Sequence, residues 1–115
     1  MNNELWQDGQ LVYGSIILRL AFEESQKQIE KWGVQTRTPE EWMLYLTEEV
    51  GELAEAIAEH KYRDGTRDHV VEEAIQVTTL AMKIIEMNYN SSLHDDTVID
   101  RLEGKTNLLR GEEDK

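Results

Sequence analysis

The stretch TPEEWMLYLTEEVGEL, residues 38–53, reads as the opening of an amphipathic helix. Thr38 stands as the N-cap, Pro39 takes the first helical position where a missing N–H costs nothing, and Glu41 completes a capping box. At about 100° per residue, Leu46, Val50, Leu53 and Ile57 form one narrow apolar stripe. Glu49 and Glu52 share one flank of that stripe, while Glu48, Glu55 and Glu59 point away toward solvent. The pattern predicts a helix to about Lys61, closed by Asp64-Gly65.

The same pattern recurs 24 residues later. VEEAIQV (71–77) aligns with TEEVGEL (47–53). Val70, Ala74, Val77 and Ala81 make the matching stripe, and Glu73 and Gln76 occupy the matching flank. This helix is expected from about Asp68 to Met87, and its short link to the preceding helix predicts an antiparallel hairpin. Residues at i and i+3 are neighbours on a helix surface, so each pair can converge on one small object. Three carboxylates and an amide gathered there repel one another when alone. A hard cation such as Mg²⁺, which takes oxygen ligands, removes that repulsion. The pairs centre on 50.5 and 74.5, which asks for a turn at 62.5, a little before the Asp64–Arg67 turn that the boundaries give. Gly51, in mid-helix, costs about 1 kcal/mol relative to alanine, which implies a packing or access reason.

Outward from the repeat, Ser15 to Trp32 carries Ile16, Ile17, Leu20 and Ile29 and ends at Gly33 as a C-cap. A shorter helix from about Asp95 to Arg110 follows, with Gly111 after it. Residues 1–14 read as an N-terminal extension and 111–115 as a disordered tail, within one domain of 115 residues. One proline, seven glycines and no sustained apolar–polar alternation make the chain all-α, a hairpin core in a four-helix-bundle type of fold. With 39% hydrophobic and 31% charged residues, a domain this small has a thin core, so oligomerisation is expected to complete the bundle.

Charge narrows the function. The chain has 24 Asp+Glu against 12 Lys+Arg, a net charge of −12. That balance argues against nucleic acid, whose phosphates need a basic footprint, and suits a collector of divalent cations. Absence of cysteine excludes disulfides, thiolate metal sites and a cysteine nucleophile. The start of the sequence lacks the features of a signal peptide and no apolar run reaches membrane-spanning length, so a cytoplasmic protein with no membrane partner is expected. His60, His69 and His94 share no ligand-like spacing, and no Glu-x-x-His occurs, against a di-iron bundle. Lys61, Arg63 and Arg67 read as surface charges at the hairpin turn.

Glu48-Glu49-Val50-Gly51-Glu52-Leu53, followed by Glu73-Ala74-Ile75-Gln76, resembles the MazG-like all-α nucleoside triphosphate pyrophosphohydrolases. Their signature is Glu-Glu-x-x-Glu on one helix and Glu-x-x-Asp on the next; here glutamine stands in the aspartate position. Lys31-Trp32-Gly33-Val34-Gln35 with Thr38-Pro39 looks like the segment that helps hold the base in several members, and Asn107 and Arg110 resemble an Asn-x-x-Arg associated with the triphosphate. The resemblance implies cleavage between the α and β phosphates of a nucleoside triphosphate. Glu49, Glu52, Glu73 and Gln76 would hold Mg²⁺, with Mn²⁺ as a substitute, and the cation would polarise phosphoryl oxygens and activate water. Glu48 would hold a second metal or orient that water, or is a solvated surface residue. Trp32 is either a packing residue or a base-stacking platform, and Gln35 and Arg37 share its loop. Such proteins assemble as homodimers or homotetramers. The rival reading is a degenerate helical module that binds a nucleotide or a partner protein without efficient hydrolysis, as Gln76 supplies no negative charge.

Overall fold

The computed structural model describes residues 5–7, 9–91, 101 and 103. Among them the regular structure is helical throughout: α1 (Gly14–Trp32), α2 (Pro39–Tyr62) and α3 (Arg67–Ser91), with no strand. Contacts divide the chain into residues 1–82 and 83–115, so that α1, α2 and α3 as far as Met82 lie in the first unit.

The boundaries follow from local chemistry. Helix α1 ends at Gly33, whose φ of 75° suits glycine and whose N–H donates to Ile29 O at 2.7 Å. Helix α2 opens on the expected capping box, Glu41 N–H donating to Thr38 Oγ1 (3.2 Å) and Thr38 N–H to Glu41 Oε1 (2.9 Å). The bonds from Thr38's backbone and hydroxyl hold the Glu41 carboxyl below the usual carboxylate range. At the other end, the N–H groups of Arg63 (2.9 Å) and Gly65 (3.1 Å) both reach Glu59 O, curling the chain back over the last turn. A Cβ on Gly65 would sit 2.8 Å from backbone atoms of Glu59 and His60, so this turn requires glycine. Thr66 then caps α3, its Oγ1 accepting from His69 N–H at 3.1 Å.

Helix α3 continues past the expected end at Met87 to Ser91. The run Asn88–Ser91 is polar but holds neither proline nor glycine, and Asn88 Nδ2 donates back to Ile84 O at 2.8 Å. Polarity without a breaker does not stop a helix. Of the expected fourth helix, Arg101 and Glu103 are described and helical; the remainder, like the expected tail, lies outside the described residues.

Packing departs from the sequence pattern in an instructive way. The residues buried in the core are Ala21, Ala56 and Thr79, one on each helix, among those described. Thr79 Oγ1 lies 2.7 Å from Ile75 O in its own helix and 3.3 Å from Ala21 O in α1. Gln28 on α1 meets Gln76 on α3. Positions therefore rise along α1 as they fall along α3, and the two helices run antiparallel. Along the α2 stripe, Leu46, Leu53 and Ile57 are half-buried but Val50 is exposed, and Glu59, expected in solvent, is half-buried beneath the turn. Ile16, Leu20 and Ile29 on α1 are also exposed. Small side chains occupy the fully buried positions, while many of the larger described apolar side chains stay exposed. From the N-terminal extension, Trp6 reaches the end of α2, its ring centroid 6.3 Å from that of His60.

Candidate metal centre

Helices α2 and α3 bring Glu49, Glu52 and Glu73 together, with one carboxylate oxygen of each within 4.8 Å of the others. Two come from one helix at i and i+3, and the third arrives across the Gly65 turn. The turn lies at 63–66, two residues beyond the midpoint the repeat asks for, so equivalent positions are not level. Long glutamate side chains bridge the offset. Glu49 and Glu73 are half-buried and Glu52 is exposed, which leaves the cluster open on one side. This is a group that could hold a metal ion, from oxygen donors alone.

Its electrostatics are those of anions held too close. Burial, then the charges of Glu52 and Glu73, push the Glu49 carboxyl up to about 7, and a hydrogen bond with Glu52 favours its protonated form. Glu73 is raised as well, by burial first and then by Glu52, while His69 opposes the shift. His69 Nε2 lies 3.9 Å from Glu73 Oε1 and its Nδ1 lies 3.7 Å from Glu72 Oε2. Glu49 Oε2 and Glu73 Oε2 are buried without a hydrogen-bond partner. A buried acceptor left unpaired costs about 1–3 kcal/mol, more when charged. Both orphaned oxygens belong to the cluster, and a cation there would satisfy them.

Gln76, the fourth residue of the repeat, is engaged elsewhere by at least one bond: its Oε1 accepts from Gln28 Nε2 at 3.0 Å. An amide oxygen has two lone pairs, so this bond occupies one of them. Gln28, which also donates to Glu24 Oε2 at 3.1 Å, thus connects α1 to the edge of the cluster. Sequence spacing gives no hint of that contact, since the two glutamines are 48 positions apart.

The other expected site residues are dispersed. Glu48 is exposed, and its charge helps raise Glu49. Trp32 is exposed at the end of α1, with Lys31 Nζ 4.6 Å from its ring centre. Gln35 and Arg37 are joined, Arg37 Nη2 donating to Gln35 Oε1. Asn107 and Arg110 lie outside the described residues.

Two residues that sequence reading passed over complete a second cluster. The Arg37 guanidinium carbon sits 4.1 Å from the Tyr45 ring centre and 5.6 Å from that of Trp42. Arg37 Nε and Trp42 Nε1 are buried with no hydrogen-bond partner. The signal was present in the spacing. Trp42 and Tyr45 precede Glu49 by seven and four residues, which puts all three on one face of α2. At Gly51, by contrast, a Cβ would meet nothing within 4 Å, so no packing reason for this glycine exists among the described residues. Compared with models of protein families, with curated proteins and with solved structures, the chain gives no match.

Proposed function

We propose that this chain is a Mg²⁺-dependent nucleoside triphosphate pyrophosphohydrolase of the MazG-like kind, splitting the substrate into its monophosphate and pyrophosphate. The observation that carries the proposal is the Glu49–Glu52–Glu73 cluster with its two buried, unpartnered carboxylate oxygens. Mg²⁺, or Mn²⁺ in its place, would supply positive charge to the phosphoryl oxygens when bound. Glu49, Glu52 and Glu73 would hold it, Gln76 adding a neutral oxygen whose orientation Gln28 sets. Glu48 stands beside the cluster as a candidate to orient water. Asn107 and Arg110 are assigned to the triphosphate on their motif, and Trp32, Gln35 and Arg37 to the base.

Exposed apolar side chains on α1 and Val50 on α2 support assembly as a homodimer or homotetramer, in which copies complete a four-helix bundle. No helix among the described residues is long and apolar enough to cross a membrane, and the net charge of −12 disfavours nucleic acid. A cytoplasmic enzyme fits these properties.

A second function has one observation in its favour. Gln76 contributes no charge and its oxygen is already bonded, which suits a module that binds nucleotide or a partner protein without efficient turnover. Pyrophosphate release from a panel of ribo- and deoxynucleoside triphosphates, with Mg²⁺ and with EDTA, tests both. Metal-dependent release from at least one nucleotide supports the enzyme. Mg²⁺-dependent binding without release supports the module, and neither binding nor release overturns both nucleotide readings.

A further inference from the structure

We infer that Glu24, acting through Gln28, is a positioning residue for the metal centre: it fixes which end of the Gln76 amide is held, so that α1 helps decide how tightly a cation binds between α2 and α3. The inference rests on the metal-centre reading above and adds residues of a third helix on which that centre depends. The two ends of a glutamine amide are nearly equal in shape and opposite in hydrogen bonding, one an acceptor and the other a double donor. Beside empty carboxylates an unrestrained amide turns its N–H groups toward them, whereas a hard cation calls for its oxygen. A glutamine left free would have to turn over each time the cation arrived.

Two hydrogen bonds remove that choice. Gln28 Nε2 donates to Glu24 Oε2 at 3.1 Å, and the same nitrogen donates to Gln76 Oε1 at 3.0 Å. Glu24 and Gln28 lie one turn apart on α1, and all three side chains are half-buried. Gln28 and Gln76 could exchange roles by turning over together. Glu24 is the member that cannot follow, because a carboxylate only accepts. Turned over, Gln28 would set its own oxygen against that carboxylate, with no proton between them. Glu24 therefore sets the direction of Gln28, and Gln28 that of Gln76, whose oxygen keeps a second lone pair for a cation.

The test reads the Mg²⁺ affinity of the full chain by calorimetric titration, with thermal melts in EDTA on the same samples. Gln28→Met keeps length and charge but removes both hydrogen bonds. It should weaken Mg²⁺ binding about tenfold, the lower end of what the partners of metal ligands contribute. Glu24→Gln, which releases the direction of the chain of amides, should weaken it by a smaller factor. Glu23→Gln, the charge-matched change at an exposed position of α1, should have much less effect. In a Gln76→Ala background, Gln28→Met should no longer alter Mg²⁺ affinity. A residue that only docks α1 would lower the melting temperature in EDTA and leave the affinity of the folded chain alone. Unchanged affinity in folded Gln28→Met or Glu24→Gln, equal losses from Glu23→Gln and Glu24→Gln, or a Gln28→Met effect that survives Gln76→Ala would overturn the inference. Either α1 variant serves if the other fails to fold. If the unaltered chain binds Mg²⁺ and any of these outcomes is seen, only the role of Glu24 and Gln28 fails. If the unaltered chain binds no Mg²⁺, the metal centre and the proposed function fail with it.

Discussion

The two halves of the internal repeat have the same spacing but not the same use. On α2, both flank residues, Glu49 and Glu52, turn into the cluster. On α3, Glu73 joins them, while Gln76 reaches across to Gln28 of α1. One half is committed to gathering charge, and the other divides its two positions between charge and architecture. A third helix docks where the second carboxylate would have been. The difference teaches that a repeated motif need not give a symmetric site, because its copies have different neighbours.

The sharpest way to break this comparison is to remove the charge it depends on. With Mg²⁺ at roughly 100 times its dissociation constant, the protein should gain about 2.7 kcal/mol of stability, and NaCl at matched ionic strength much less. Glu49→Gln should abolish the gain, read from thermal melts with and without EDTA. Equal responses to the two salts would mean general screening of the −12 charge rather than a site.

Next in size is the turn that brings the halves into register. Gly65→Ala places a Cβ 2.8 Å from backbone that cannot move aside. Urea denaturation should show a loss of about 1–3 kcal/mol, the usual scale of overpacking. A weakened Mg²⁺ response in the same variant would show that this turn also sets the spacing of the carboxylates.

The pH dependence has a definite sign. Glu49 titrates near 7 in the folded chain and Glu73 is raised as well, against 4.5 for each as a free carboxyl. The folded state therefore binds protons more tightly than the unfolded one between those values. Without metal, stability should fall as pH rises from 4.5 to about 7 and level off above. Mg²⁺ affinity should climb through the same interval, because protons and cation compete for the same oxygens. A metal-free stability that rises over this interval would remove the proposed crowding.

The smallest effect is the most discriminating between the two halves. Gln76→Asp should lower the melting temperature in EDTA, where it adds an anion beside three others. It should raise it in Mg²⁺, where the anion becomes a ligand; each change should be worth about 1 kcal/mol. Gln26→Asp, on the exposed side of α1, is the charge-matched control and should show no reversal. If both conditions move Gln76→Asp the same way, this position serves α1 alone.

How far these features could be read in advance depended on how local their causes are. The α2 capping box was legible because all its partners lie between Thr38 and Glu41. The carboxylate cluster was legible because helical periodicity and one short turn suffice to bring Glu49, Glu52 and Glu73 together. The Gln28–Gln76 bond was not, since it depends on how α1 lies against α3. Nor was the exposure of Val50: periodicity identifies an apolar face but cannot supply the surface that covers it. The late end of α3 escaped notice because polar residues resemble a loop in composition while remaining compatible with a helix. Trp42 and Tyr45 stood at readable spacings from Glu49, but their significance came only with Arg37 lying against their rings.

That Ala21, Ala56 and Thr79 are the buried residues among those described has a calorimetric consequence. Unfolding raises heat capacity mainly by wetting apolar surface, ordinarily by roughly 12–15 cal/mol/K per residue. A lone chain in which many of the described large apolar side chains are already wet should fall below that figure and melt over a broad interval. Copies that cover one another should restore the ordinary increment, with a transition that sharpens and moves upward as concentration rises. Scans at two concentrations would thereby separate cohesion within a chain from cohesion between chains.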